Sequence, residues 1–351
     1  MASAESAGAR FGSSRTAGHL SRTGGPVWFA PIQPFEKARR MPRSIIIDTD
    51  PGQDDAIAIL LALASPELEV LGITAVAGNV PLALTSRNAR IICELAGRRD
   101  VPVCAGADRP LMRPLVTAEY VHGKTGLDGP VLAEPTMPLD PRHGVDFIIE
   151  TVMSRPAGSV TLCPLGPLTN IALAISREPA LIERVKEIVL MGGGFFEGGN
   201  ITPTAEFNIY VDPQAAAIVF QAGIPIVMMP LDVTHKALTT RERVEAIRAI
   251  GTPVAEAAAE WLDFFERFDV QKYGSAGGPL HDPCVIAWLL RPDLFAGRNC
   301  NVVVETASEL TMGMTVIDWW GVTNRPKNAL VMREIDAAGF YELIREAIAR
   351  L

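Results

Sequence analysis

From Ser44 onward, short apolar runs alternate with amphipathic stretches, and that rhythm leaves few ways to fold. "SIIID", "LEVLGITAVAG", "VPVCAG", "VTLCPLG", "EIVLMGG" and "PIVMMPLD" read as strands. Between them, "DDAIAILLALAS", "PLALTSRNARIICELAG", "VDFIIETVMSR", "LTNIALAISRE" and "PQAAAIVFQAG" read as helices. Strands that are apolar throughout are buried on both faces, as in a parallel sheet covered by its crossover helices. The expected class is α/β: an open, mostly parallel central sheet with helices on both faces. "RERVEAIRAIG", "AEAAAEWLDFFERF", "DPCVIAWLLRP" and "AGFYELIREAIARL" make the C-terminal third more helical, and this region is expected over the carboxyl ends of the strands. "RNCNVVVET" reads as one late strand. Met112 to Arg142, holding "HGKTGLDGP", has no clear period and is expected as a mobile loop over a site.

Composition supports a sizeable core and narrows the partners. The chain has 351 residues, 48% of them hydrophobic and 21% charged, which argues against bulk disorder. Its net charge is −8, and no basic cluster marks a nucleic-acid face in the body of the chain. Cys93, Cys104, Cys163, Cys284 and Cys300 form no CxxC pair, so free buried thiols in a reducing, cytoplasmic setting are expected. No apolar run approaches the roughly 20 residues a bilayer span needs. Residues 1–42 differ: six Lys/Arg against two Glu, no visible period, and much Ser, Gly and Ala. An Arg- and Ser-rich start can be a transit peptide. The favoured expectation is a disordered leader, or an upstream start with Met41 as the functional one.

Open α/β sheets bind ligands beyond the carboxyl ends of their strands, and the acids gather there. "DTDPGQDD" puts Asp48, Asp50, Asp54 and Asp55 within eight residues of the first strand's end. Asp54 and Asp55 fall in the first turn of the following helix, where the dipole and free N–H groups favour carboxylates. Capping explains one or two acids, not four. A hard divalent cation, Ca²⁺ or Mg²⁺, would offset their repulsion with all-oxygen ligands. Other strand ends add Asn79, a turn that can face the Leu165 carbonyl to the site, and a glycine-rich excursion with Asn200, Glu206 and Asn208. Amides and a carboxylate in a row suit sugar hydroxyls, although Asn in such loops also serves turns. His281 and Asp282 open a late helix; Asp282 before Pro283 also suits an N-cap.

Taken together, "DTDPGQDDAIAI", the "GN" at 78–79, "LGPLTN", "MGGG", "GGNITPTAEFN" and "LHDPC" resemble the nucleoside hydrolases of the inosine–uridine-preferring family, over residues 43 to 351 as a single domain. The resemblance implies hydrolysis of the N-glycosidic bond of ribonucleosides, of the uridine, cytidine and inosine class, to ribose and free base. It implies one Ca²⁺ held by Asp50, Asp55, the Leu165 carbonyl and Asp282. A water on that ion is the implied nucleophile, with Asp50 as general base. Asp54, Asn79, Asn200, Glu206 and Asn208 are implied on the ribose, with Met191 packed near the sugar. His281 is the implied proton donor for purine leaving groups, and His122 lies on a flap that closes the site. Phe264, Phe268, Gln271 and Tyr273 are implied near the base. "PLHDPCVIAWLL" looks nearer to pyrimidine-preferring bacterial members, and such enzymes are often tetramers or dimers. Two other readings compete. One is a haloacid-dehalogenase-type phosphohydrolase, whose aspartate pair also follows a strand but is not followed by Pro-Gly. The other is a non-catalytic nucleoside-binding protein on the same fold.

Overall fold

The computed structural model describes residues 41–273 and 277–351, and side chains of 268–273 are outside that description. The leader expected over residues 1–42 therefore lies almost wholly outside the described residues. Eight strands form the main sheet: β1 (Arg43–Thr49), β2 (Leu68–Ala75), β3 (Val103–Ala105), β4 (Val160–Pro164), β5 (Val185–Met191), β6 (Ile226–Met229), β7 (Phe295–Cys300) and β8 (Ala329–Ile335). Their spatial order is β3-β2-β1-β4-β5-β6-β8-β7. All neighbours run parallel except β7, which closes one edge antiparallel to β8.

Residues in β1 show why the sheet is covered twice. Ile45 and Ile47 point into one core cluster, while Ile46 points into a second on the opposite face, as the strand's period of two requires. The first cluster packs α1 (Gln53–Leu63) against late helices that contribute Trp261, Val285 and Phe340. Every residue of α1 is buried, so it reads as an apolar run rather than an amphipathic stripe. The second cluster takes Phe147 and Ile148, then Ile171 and Phe220, from the helices over the other face.

Strand order reverses between β1 and β4, which lie side by side with Asp48 level with Pro164. A crevice opens at such a switch point because the flanking connections leave in opposite directions. The expected ligand position and the acidic motif thus coincide.

Three expectations change. The single late strand is broken at Asn301: Phe295–Cys300 joins the main sheet, while Val302–Val304 pairs antiparallel with Thr315–Ile317. Asn328 holds the break by accepting the Val302 N–H at 2.8 Å and donating to the Val302 carbonyl at 2.9 Å. Strand β8 had no clear sequence signal, since "ALVMREI" contains several good helix formers. Its ladders with β6 and β7 outweigh that propensity. Within Met112–Arg142, Glu119–His122 forms one helical turn, and Asp140 bridges to Cys104. Among the described residues, no helix is long and apolar enough to cross a membrane.

Because Leu60 on α1 is fully buried in the larger core cluster, Leu60→Ala should cost about 2–5 kcal/mol. The loss should appear as a lower urea midpoint at unchanged slope; a shift within error would place α1 outside the cooperative core.

Candidate active site

The end of β1 feeds four aspartates into the crevice, and their surroundings divide them. Asp48 is scaffold. Its Oδ1 accepts from the Thr74 hydroxyl at 2.5 Å and the Asn170 amide at 2.8 Å. Asn170 also donates to the Ala75 carbonyl at 3.1 Å, so Asp48 ties β1 to β2 and to the helix after β4. Burial pushes its carboxyl up to about 7 despite those bonds.

Asp50 lies just past the strand. Its Oδ2 accepts the Asn79 N–H at 2.7 Å, and the Asn79 side-chain amide returns to the Asp50 carbonyl at 3.1 Å. Gly78 and Gly166 admit the carboxylate: a Cβ at either position would sit 2.1 Å or 2.2 Å from one of its oxygens. Asp55, in the first turn of α1, accepts the Gly52 N–H at 2.9 Å and the Thr49 hydroxyl. Part of the capping role expected for this pair is therefore real.

Among the described residues, no ion pair offsets the remaining charge. Asp54, Asp55 and Asp282 are buried and offer oxygens all within 4.8 Å of one another. Burial first, and then the neighbouring carboxylates, push Asp50 and Asp282 well above the usual carboxylate range. The same causes raise Asp54 to about 8. Burial also raises Asp55. Carboxylates this close must either hold protons or face a cation. An all-oxygen donor set fits a hard divalent ion. The compact trio contains Asp54, which the sequence reading gave to the sugar, and Asp50 lies outside it. The Leu165 carbonyl accepts from Asn208 Nδ2 at 2.6 Å, which leaves its second lone pair.

A cavity of about 520 Å³ opens over this cluster, lined by Asp54, Asn79, His122, Leu165, Met191, Asn200, Glu206, Asn208, His281 and Asp282 among others. Ten of the twelve site residues expected from sequence thus line one cavity; Asp50 and Asp55 are not in its lining, each about 1% exposed. Glu206 caps the turn Phe207–Val211, accepting N–H groups of Gly193 and Asn208 at 2.9 Å each and of Ile209 at 3.3 Å. Burial nevertheless lifts its carboxyl to about 7. Asn200 accepts the Phe207 N–H at 2.9 Å through Oδ1, so its NH₂ is left to donate. Asn208 uses its NH₂ on Leu165, so its Oδ1 is left to accept.

The rest of the cavity lining includes three imidazoles. His281 Nδ1 lies 2.8 Å from the Thr234 hydroxyl. Burial, and then His235 and His122, hold His281 well below the ordinary histidine range. His122 is buried and pushed down to about 3 for the same first reason. Sequence reasoning missed two residues of this lining, His235 and Phe265. His235 follows the short helix Leu231–Thr234 after β6, with its ring 5.8 Å from His281 and its Nδ1 3.6 Å from Glu197. Searching beyond "PIVMMPLD" at that strand end would have found it. Phe265 stacks on His122 at 5.6 Å and meets His281 edge-on at 6.3 Å.

Phe264, expected near the base, instead lines a separate depression with Arg87 and Pro130 and lies under the Arg267 guanidinium. One residue along a helix turns a side chain by about 100°, which is why Phe265 faces the cavity and Phe264 does not. The side chains of Phe268, Gln271 and Tyr273 lie outside the described residues.

Comparison with known proteins agrees with this geometry. The family model described as inosine-uridine preferring nucleoside hydrolase matches residues 45–342. The pyrimidine-specific ribonucleoside hydrolase RihA of Photobacterium profundum is 51% identical over 310 residues, covering 88% of this chain and 99% of that protein. An uncharacterized protein of Schizosaccharomyces pombe is 54% identical over 307 residues, with 88% and 99% covered. Among solved structures, a purine-preferring ribonucleoside hydrolase from Gardnerella vaginalis superimposes with a TM-score of 0.82 at 31% identity, covering 88% of this chain and 98% of that one. A plant nucleoside hydrolase gives 0.81 at 32%, covering 88% and 99%. By its strand order, its buried carboxylates at the switch point and these matches, the chain belongs to the inosine-uridine preferring nucleoside hydrolase family.

Proposed function

We propose that the protein hydrolyses the N-glycosidic bond of ribonucleosides, releasing ribose and free base, with Ca²⁺ as cofactor. The observation that carries the reading is the buried carboxylate cluster beneath a cavity whose wall offers Asn200, Asn208 and Glu206 side by side. Asp50, Asp55, Asp282 and the Leu165 carbonyl would hold the ion, with Asp54 in the same cluster. A bound Ca²⁺ supplies the positive charge that keeps these acids ionised, grips vicinal hydroxyls and acidifies a water.

The chain's own residues account for the remaining chemistry. Asp50, anchored through one oxygen by the Asn79 N–H, takes the proton of the water that attacks the anomeric carbon. Positive charge grows on the ribose ring as the bond to the base lengthens. The surrounding carboxylates stabilise it in a site that needs no reorganisation. Asn200 donates to a ribose hydroxyl, while Asn208 and Glu206 accept from others. Met191, 3% exposed, packs against the sugar face. His281 serves the leaving base as a neutral imidazole; its Nδ1 lies 2.8 Å from the Thr234 hydroxyl, and the tautomer in which Thr234 donates is the one that leaves the ring proton on Nε2. RihA relatives at 51% identity carry the name pyrimidine-specific, against 31% for the purine-preferring structure. Uridine and cytidine therefore rank ahead of inosine as substrates. The family match and the Pro51-Gly52 turn weigh against phosphohydrolysis, and the complete set of site residues against a purely binding role.

With Ca²⁺ present, release of reducing sugar should follow the order uridine and cytidine above inosine; no turnover of any of them would overturn the reading. Asp50→Asn should lower kcat by about 10²- to 10⁴-fold, and full activity would remove it as base. His281→Ala should lose inosine turnover more than uridine turnover, whereas equal losses would show that it does not serve purines selectively.

Stability gives an independent check. Asp54 and Glu206, raised to about 8 and about 7, keep protons in the folded chain that the unfolded chain releases near pH 4. The folded state binds more protons in that window, so metal-free stability falls as pH rises from about 4 to 8. Calorimetry in chelator should show Tm falling between pH 5 and 8. Added Ca²⁺ should raise Tm more at pH 8 than at pH 5. A metal-free Tm that climbs across the window would contradict the assignment.

A further inference from the structure

Gln53 sits inside the acidic motif without being an acid, and the mechanism above gives it no task. It is completely buried. Its Nε2 lies 2.9 Å from the His122 carbonyl and 2.9 Å from the Asp128 carbonyl. Both partners only accept, so the NH₂ end of the amide must face them. The amide oxygen is thereby turned to His122 Nδ1, 2.8 Å away. An amide oxygen only accepts, so Nδ1 must carry the proton. In a neutral imidazole the second nitrogen, Nε2, is then a bare lone pair.

The surroundings keep the ring in that orientation. A Cβ on Gly52 would lie 2.4 Å from His122 Nδ1, so the ring packs directly on the backbone of the acidic turn. Phe265 stacks against the ring, with 28° between the planes. Turning the ring over would set a carbon against the Gln53 oxygen. Nε2 has no hydrogen-bond partner among the described residues, and His122 lines the cavity.

We propose that Gln53 is a positioning residue that fixes His122 in its Nδ1–H form and fastens the 119–128 segment over the site, so that His122 reads substrate as a hydrogen-bond acceptor. The ligand chemistry is an O–H or N–H donor at that point of the nucleoside, supplied by either the ribose 5′-hydroxyl or a base N–H. This extends the hydrolase reading and rests on it for the identity of the ligand, but not for the state of the ring. His122 is then excluded as the acid that protonates the leaving base, because the nitrogen it offers has no proton to give.

The full-length chain contains five histidines, so ¹⁵N-histidine labelling with His122→Ala as the assignment control can report each ring by NMR. Wild-type His122 should show a protonated Nδ1 and a bare Nε2; the reverse pattern overturns the proposal. Gln53→Met, similar in size but without the amide, should shift the ring toward a mixture of forms. It should also raise KM for uridine about three- to tenfold, with a smaller change in kcat. Gln53→Glu keeps an acceptor for Nδ1 and should retain the Nδ1–H form while losing both donors to the 119–128 segment. An unchanged ring state and KM in Gln53→Met would remove Gln53 from the role.

The source of the donor is read with 5′-deoxyuridine and N3-methyluridine. One of them should lose about three- to tenfold in kcat/KM relative to uridine on the wild type, and the loss should vanish in His122→Ala. Loss with the 5′-deoxy compound assigns the sugar hydroxyl, and loss with the N-methyl compound assigns the base. Equal losses in both backgrounds overturn the acceptor role. If no nucleoside turns over at all, the hydrolase reading fails while the NMR result still decides the ring state.

Discussion

Everything at this site follows from burying several like charges at one strand end. Asp48, Asp50, Asp54 and Asp55 are all at most 5% exposed, and a carboxylate taken out of water without a partner is costly. The chain meets the cost in different ways. Asp48 is raised to about 7 by burial and is hydrogen-bonded to Thr74 and Asn170. Asp55 takes on cap-like bonds to Thr49 and Gly52. On Asp50, Asp54 and Asp282, burial and mutual repulsion raise the carboxyls, which leaves the remaining charge for protons or a bound cation to offset. The wholly apolar body of α1 helps to make this tolerable, since the helix carrying two of the acids is held in place by its buried face on every side.

The same constraint sets how much could be read from sequence. Strand ends rich in acids and amides are local signals, and Asp54, Asn79, Asn200, Glu206 and Asn208 all do line one cavity. Strands β1 to β6 were legible for a similar reason, each being a short apolar run. Features that depend on distant partners were not legible. β8 is a strand because β6 and β7 supply its ladder. The break at Asn301 exists because Asn328, 27 positions away in sequence, holds the backbone there. The exchange of Phe264 for Phe265 is a matter of helix phase, which a run of neighbouring aromatics does not reveal. Gln53 looked like filler between acids because its partners, His122 and Asp128, come from the segment with no period at all.

The two sides of the cavity are built by different rules. On the side of Asn200, Glu206 and Asn208, each polar group is tied to the scaffold: Asn200 through the Phe207 N–H, Asn208 through the Leu165 carbonyl, and Glu206 through three backbone N–H groups shared between its two oxygens. Such groups are fixed before any ligand arrives, so little ordering entropy is left to lose on binding. They also have set donor and acceptor senses, which is how a site distinguishes one arrangement of hydroxyls from another.

The other side comes from connections and late helices: His122 from the 119–128 segment, His235 after β6, Phe265 from the helix Pro253–Tyr273, and His281 just before Pro283. These elements pack around the strand ends rather than forming them. Their residues can change with little effect on the sheet, on the acidic turn or on Asn200, Glu206 and Asn208. One architecture can therefore keep the acidic turn and the Asn200–Asn208 side constant while relatives carry pyrimidine-specific and purine-preferring names. Gln53 is the exception that joins the two sides. It is rooted in the acidic turn yet bonded to the 119–128 segment, so a change there reaches the imidazole-bearing side from within the motif that holds the charge.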